Sequence, residues 1–315
     1  MRRCPFALVL ALTTLLAVPA ARAAEDKPVP TAEEAAKDEG PVKVKVGIYL
    51  LNVGKYELAT GTFTVDFYLS LRSDKDMGDQ RFEFMNGRGS IDKITDTKTE
   101  KFYRVQGNLM TNVDLRKFPW DSHVLPIVIE HATRTAKEVV YEPDQEQTGI
   151  DAEVRLVGWD LKRFATTAKL HEYPVYKESY SQYTYQLEVG RVILASSLKT
   201  FLPVFVFVIV TLVSLLIGVE KADSRITMNT ALLIAAVMFH LSIQGSLPPV
   251  GYLTLADKVM IATYAVIGTN LGLAVMLLRL MMMKAEPAAQ ALRRRAFVGV
   301  PLIALASYLV AFVSW

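Results

Sequence analysis

The sequence predicts a secreted all-β domain followed by four membrane-spanning helices. Three observations carry this. The chain is 51% hydrophobic yet 21% charged, too apolar for an ordinary soluble protein and too charged for a purely membrane one. Apolar residues alternate with polar ones through much of residues 42–191. Beyond Lys199 the alternation gives way to long apolar runs, each enough to cross a hydrocarbon core as a helix.

Residues 1–23 read as a secretory signal peptide. Arg2 and Arg3 start it, Phe6 to Val18 is apolar, and Ala21-Arg22-Ala23 has the small-x-small pattern of a cleavage site. Cleavage there removes Cys4, the sequence's one cysteine, so disulfide and thiol chemistry are not expected of the mature chain. Residues 24–41, rich in Glu, Lys, Ala and Pro, read as a flexible leader.

Residues 42–195 read as a β-sandwich or barrel. Val44, Val46, Ile48 and Leu50 alternate with Lys43, Lys45, Gly47 and Tyr49, and Phe63, Val65, Phe67, Leu69 and Leu71 form a second such run. Further strand-like runs cover Val124–Ile129, Val154–Phe164 and Tyr183–Val192, broken by Gly, Asp, Asn and Pro turns.

Residues 196–315 read as a four-helix membrane domain, with spans at about 198–219, 224–245, 256–279 and 296–315 and an interfacial Trp315 at the end. Four spans put both ends of this domain on one side of the membrane. The signal peptide places the β domain outside. Arg279, Lys284, Arg293, Arg294 and Arg295, between spans three and four, then fall on the inner side, as the positive-inside rule expects. This predicts a multi-pass protein of the cell (inner) membrane with its N-terminal domain in the periplasm or outside the cell.

The second span is not uniformly apolar. Thr227, Ala231, Ile234, Met238 and Leu241 recur at steps of three and four and share one helical face, with Asp223 at its foot and Gln244 near its other end. A carboxylate ring attracts cations and an apolar collar gates by dewetting, so this stripe reads as the lining of an aqueous passage. The alternative is a span whose polar end rests among headgroups. Asn229 and His240 lie on the opposite face, as buried hydrogen-bonded groups or, for the imidazole, as a proton sensor.

Catalytic and nucleic-acid readings find little support. The sequence has no Gly-rich phosphate loop, nucleophile elbow or His-Glu-x-x-His motif, and no basic cluster with interleaved aromatics. The histidines at 123, 131, 171 and 240 lack metal-ligand spacing, so no enzyme activity, metal or cofactor is expected.

Asp114-Leu115-Arg116-Lys117-Phe118-Pro119-Trp120-Asp121-Ser122-His123 resembles the signature loop of the pentameric ligand-gated ion channels, whose diagnostic piece is Phe/Tyr-Pro-x-Asp. Thr111 and Leu125 stand where animal members carry the two cysteines, so the chain is most similar to bacterial members without that disulfide. Val157-Gly158-Trp159-Asp160-Leu161, the pair Arg191 and Pro203, and Ser246-Leu247-Pro248-Pro249-Val250-Gly251-Tyr252 resemble further family stretches, in the family's order. The resemblance implies a homopentamer with each second span facing a central axis, in contact with membrane lipid. It implies a channel for inorganic cations, since Asp223-Ser224 precedes Arg225 where anion-selective members have Pro-Ala. It implies that Phe118, Pro119, Trp120, Asp121 and Arg191 couple the β domain to the linker bearing Pro248, Pro249 and Tyr252. It puts the agonist, a small molecule or protons, between subunits, under a hairpin at about His171 to Gln182. Tyr173, Tyr176 and Tyr180 are candidates there, with Phe84 and Arg88 from an earlier loop and His131 and Arg134 from another. The chain departs from the family near Phe82, where a Trp-x-Pro piece is absent, and in having no adjacent cysteine pair in the hairpin. The competing functional reading is a non-conducting membrane sensor of the same fold.

Overall fold

The computed structural model describes residues 40–313. The predicted signal peptide, nearly all of the predicted leader and Trp315 lie outside the described residues.

Ten strands come first: β1 (Val42–Glu57), β2 (Thr62–Arg72), β3 (Phe82–Phe84), β4 (Gly87–Asp96), β5 (Glu100–Met110), β6 (Ser122–His131), β7 (Val139–Pro143), β8 (Gly149–Ile150), β9 (Trp159–Tyr173) and β10 (Glu178–Arg191). One sheet has the order β4-β5-β2-β1-β7, with β8 also paired to β1; the other has the order β3-β6-β10-β9. The alternation seen in the sequence sets the register. Val46 faces Leu71 and Ile48 faces Leu69 across the antiparallel β1–β2 pair, and all four are buried. Leu125, Ile127 and Ile129 of β6 join Tyr183, Tyr185, Leu187 and Val189 of β10 from the second sheet. One apolar core between two sheets makes this a β-sandwich.

The β1–β2 turn ends at Gly61, whose φ of +70° favours glycine and where a Cβ would lie 2.1 Å from the Thr111 carbonyl oxygen. That close approach ties the turn to the start of the signature loop.

The expected strand Val154–Phe164 is displaced. Residues 151–158 form turns, closed by Gly158 at φ +85°, and β9 starts at Trp159 and runs on to Tyr173. Val154 and Leu156 are apolar because they reach into the core from these turns. The outer half of β9, Ala165–Tyr173, is polar and partly exposed, so hydrophobicity does not mark it as strand. Continuous pairing with β10, from Tyr173 opposite Glu178 to Trp159 opposite Arg191, holds it there.

Four helices follow: α1 (Ile193–Val213), α2 (Ala222–Gly245), α3 (Leu255–Met282) and α4 (Glu286–Val313). A 3-10 turn, Ser214–Leu216, extends α1, and another, Val219–Lys221, leads into α2. All four helical stretches are long and apolar enough to cross a membrane. The helices depart from the expected spans because a span is read from apolarity, whereas a helix runs on through the headgroup zone. Thus α4 begins at Glu286, and Arg293, Arg294 and Arg295 lie within it rather than in a connector. Arg293 donates to the Leu216 carbonyl at 3.0 Å and lies over the Phe297 ring.

Leu69 is fully buried in the sandwich core. Leu69→Ala is expected to cost about 2–5 kcal/mol. A thermal midpoint for the purified protein equal to that of the parent would contradict this packing.

Candidate functional site

The signature loop connects β5 to β6 and forms the floor of the sandwich. Thr111 donates its hydroxyl to the Val124 carbonyl at 2.7 Å, closing the neck of the loop where the resemblance puts a disulfide in animal receptors. Inside the loop Leu115 and Phe118 are buried. They pack with Ile243 at the outer end of α2, with Leu247, Val250 and Tyr252 of the linker, and with Ala256 of α3. Backbone bonds reinforce this seat: Leu255 donates to the Arg116 carbonyl at 2.9 Å and Ala256 to the Phe118 carbonyl at 3.1 Å. Leu115 N–H donates to the Tyr252 hydroxyl at 2.8 Å, and the Arg116 guanidinium lies 4.6 Å over the Tyr252 ring. Trp120 is placed differently from the expectation. It turns away from the linker, donates Nε1–H to Ser197 Oγ at 2.8 Å, and packs on Phe201 of α1 and Phe312 of α4.

Asp121 is the hub of the junction and is 1% exposed. Arg191, the last residue of β10, donates Nε–H to one carboxylate oxygen at 2.6 Å, and His123 Nε2 meets the other at 2.7 Å. The Arg191 guanidinium also stacks on Phe118 and Trp159, 4.9 and 4.8 Å from their ring centroids. Burial pushes the Asp121 pKa up, but the His123 hydrogen bond and the Arg191 charge outweigh it and leave the pKa below the ordinary aspartate value.

α2 has two contrasting sides. Asp223, Thr227, Ala231, Ile234, Met238, Leu241 and Gln244 are all exposed in the single chain. Ile234 and Met238 expose 61% and 62% of their surface, far more than a core side chain would. Thr227 gives its hydroxyl proton to the Asp223 carbonyl at 3.1 Å, which leaves its oxygen lone pairs outward. On the other side Arg225 and Asn229 are fully buried. Asn270 of α3 accepts from Arg225 at 3.3 Å, and its amide donates to Asn229 Oδ1 at 2.9 Å and to Ser214 Oγ at 2.6 Å. Farther out, His240 meets Asp257 Oδ1 at 2.8 Å through Nε2 and the Tyr264 hydroxyl at 2.9 Å through Nδ1.

The β9–β10 hairpin is tighter than expected, with its turn at residues 174–177. Beside it lies a cavity of about 230 Å³ lined by Glu83, Glu130, His131, Ala132, Tyr173, Tyr176, Glu178 and Tyr180. The structure therefore brings His131, Tyr173, Tyr176 and Tyr180 together. It does not bring in Phe84, Arg88 or Arg134. Phe84 packs against Phe67 and Phe82 at the core, Arg88 is exposed on β4 in the other sheet, and Arg134 reaches away to the Met77 carbonyl at 2.8 Å. Sequence reasoning missed the acids. Glu130, buried, accepts from Gln182 at 2.6 Å and from the Tyr173 hydroxyl at 3.0 Å, and meets His171 Nδ1 at 2.6 Å. The Tyr173 pKa is pushed up to about 12 by burial and by this carboxylate. Glu130 follows the hydrophobic run Val124–Ile129, the one feature of the sequence that sets it apart. No group of acids, histidines or cysteines suited to a metal occurs among the described residues.

A β-sandwich seated by a Phe-Pro-x-Asp loop on four membrane-length helices, one of them presenting an exposed polar stripe, has the build of a membrane receptor-channel. Over 265 residues the chain is 22% identical to a proton-gated ion channel of Gloeobacter violaceus, a match spanning 75% of this chain and 71% of that one. Over 166 residues it is 24% identical to the serotonin-gated chloride channel mod-1 of Caenorhabditis elegans, covering 52% of this chain and about a third (33%) of that one. No protein-family profile matches the chain. With its four membrane-length helices the chain is a multi-pass membrane protein. Its similarity to these channels supports a bacterial-type member of the pentameric ligand-gated ion channels.

Because the folded pKa of Asp121 lies below its unfolded value, its ionised form contributes stability above about pH 3.9, lost as the pH falls through the folded value. Asp121→Asn is expected to flatten the acid limb of a thermal-midpoint profile. Arg191→Ala, which strands a buried carboxylate, is expected to cost about 3–5 kcal/mol. Parallel acid limbs for parent and Asp121→Asn would refute the assignment.

Proposed function

We propose that five copies of the chain assemble around an axis lined by α2 and form a cation-selective channel, opened by a small ligand bound to the β domain. The observation that carries this reading is the two-sidedness of α2. Arg225 and Asn229 are buried with partners on α3 and the end of α1, while Asp223, Thr227, Ile234, Met238 and Leu241 face outward without forming part of the subunit's own core. In a ring of subunits Asp223 would give a circle of carboxylates at the inner mouth and Thr227 a circle of hydroxyl oxygens just above it. Both attract cations. Ile234, with Met238 and Leu241 above it, would close the passage by dewetting. The relatives' names include both a proton-gated and a chloride channel, so selectivity rests on this chain's own residues.

The hairpin cavity supports an amine as the agonist. Three carboxylates and three tyrosines line it, and no lysine or arginine does. A cation would gain from the tyrosine faces and the negative field, whereas a carboxylate ligand would find no counter-charge.

Two experiments test this. The protein is reconstituted into planar bilayers and the reversal potential measured across a salt gradient. The parent is expected to reverse near the cation potential, Asp223→Ala to weaken that preference, and Ile234→Ala to raise ligand-independent current several-fold. An anion-like reversal in the parent would overturn the selectivity. Separately, alkylamines, quaternary ammonium ions and alkyl carboxylates are compared as agonists. Tyr176→Ala is expected to weaken amine potency about 2- to 30-fold, the range of a cation–π contact worth about 0.5–2 kcal/mol. Equal responses to amines and carboxylates would count against the site.

A further inference from the structure

We infer that the cavity where α1 leaves the sandwich is a binding site for an oxyanion, of the size and charge of a phosphoryl group, held between α1 and α2. The site is built from the chain's own side chains and stands apart from the channel reading.

The cavity holds about 530 Å³, within the range of small-molecule sites. Phe118, Pro119 and Gly158 close it from the sandwich, residues 191–200 supply one wall and residues 239–247 another. Ser196, Lys199 and Thr200 lie three and four apart on α1 and so share one face of that helix. Ser242 and Ser246, four apart on α2, line the same space. Ser246 spends its proton on the Ile243 carbonyl at 2.7 Å. The hydroxyls of Ser196 and Ser242 and the ammonium of Lys199 have no partner among the described residues, so their protons are available to a ligand.

The field in this space is positive. The lining holds Arg191 and Lys199 and no carboxylate. Asp121, outside the lining, takes the Arg191 Nε–H at 2.6 Å and meets His123 at 2.7 Å. Of the acids close by in the chain, Glu57 pairs with Lys55 and Glu188 with Arg163, while Asp160 is exposed on β9 and outside the lining. Arg191 is thus neutralised and Lys199 is not. Arg191 also keeps its Nη2, shielded from solvent, without an acceptor. The start of α1 adds to the field. Its first-turn amides follow Val192, which gives no side-chain cap, and no acid stands in that turn.

Protons offered from two helices at once select a ligand with several acceptor oxygens. A phosphoryl group has three, and carries the negative charge that Lys199 lacks. Leu198, Leu202 and Phe205 are exposed along α1 beside and below Lys199. The group can therefore arrive as the head of a phospholipid whose chains lie along this helix, or as a free ion.

The test uses the full chain purified in detergent and has two arms. In one, inorganic phosphate is titrated at fixed ionic strength and followed by phosphorus NMR. In the other, native mass spectrometry compares retention of phosphatidylglycerol with that of diacylglycerol, which lacks the phosphoryl group. Saturable phosphate binding supports the site and makes its ligand the free ion. Retention of phosphatidylglycerol over diacylglycerol, without phosphate binding, supports the site and makes its ligand the lipid. In whichever arm binds, Lys199→Gln is expected to weaken binding about tenfold, the order of one charge-assisted hydrogen bond. Lys199 is exposed, so the variant keeps the fold, and Lys199→Arg is expected to restore most of the affinity. Lys169→Gln, which removes an exposed cation from the far half of β9, is expected to leave binding unchanged. Absence of selective binding in both arms overturns the inference. So does a Lys199→Gln variant that binds like the parent, or one weakened no more than Lys169→Gln.

Discussion

The rotation of α2 about its own axis is the setting on which the rest of the molecule's behaviour depends, and polar pairing fixes it. Apolar side chains occur on every side of this helix, from buried Ala236 and Ile243 to exposed Val237 and Leu241. Hydrophobicity alone would let it turn. Arg225, Asn229 and His240 do not allow that. Asn270 holds the first two at the inner end and Asp257 and Tyr264 hold the third at the outer end. Turning the helix would strand each of these groups, at about 1–3 kcal/mol apiece. With them held inward, Asp223, Thr227, Ile234, Met238 and Leu241 are left on the outside.

A second set of polar contacts joins the sandwich to the helices. Asp121 ties the end of β10 to the signature loop through Arg191, and Arg191 stacks in turn on Phe118 and Trp159. The Thr111 hydroxyl bridges the neck of the loop. Trp120 then grips α1 and α4 while Leu115 and Phe118 grip the linker and α3. With Ile243 of α2 packed beside them, one short loop thereby touches all four helices and the linker. A tilt of the sandwich would reach α3 first, because α3 begins with two amides bonded to the loop.

Some of this was legible and some was not, for identifiable reasons. Val44–Leu50 and Phe63–Leu71 announce strands because every second residue is apolar and one face of each sheet is buried. The far end of β9 is silent because its residues are held by pairing with β10, which carries the pattern. The outward stripe of α2 follows from helical spacing, a local property. Trp120 was misplaced because which helix an aromatic meets depends on how the domains dock. Within one chain Arg88 and Arg134 lie apart from the tyrosines, on β4 of the other sheet and against the Met77 carbonyl, which local sequence does not record. Glu83, in the middle of the short β3, and Glu130, next to last in β6, are single acids that carry no periodic signal.

By itself the sequence determined a β domain followed by four apolar helices, an acid at the foot of the second, and a Phe-Pro-x-Asp loop between the two parts. Each is written in spacing and composition over a short stretch of chain. Only the tertiary structure decided which groups meet: Asp121 with Arg191, Asn270 with Arg225 and Asn229, His240 with Asp257, and three carboxylates with three tyrosines beside the hairpin. Those pairs lie far apart along the chain, and their partners are chosen by the cost of burying a polar group alone, which no local pattern records.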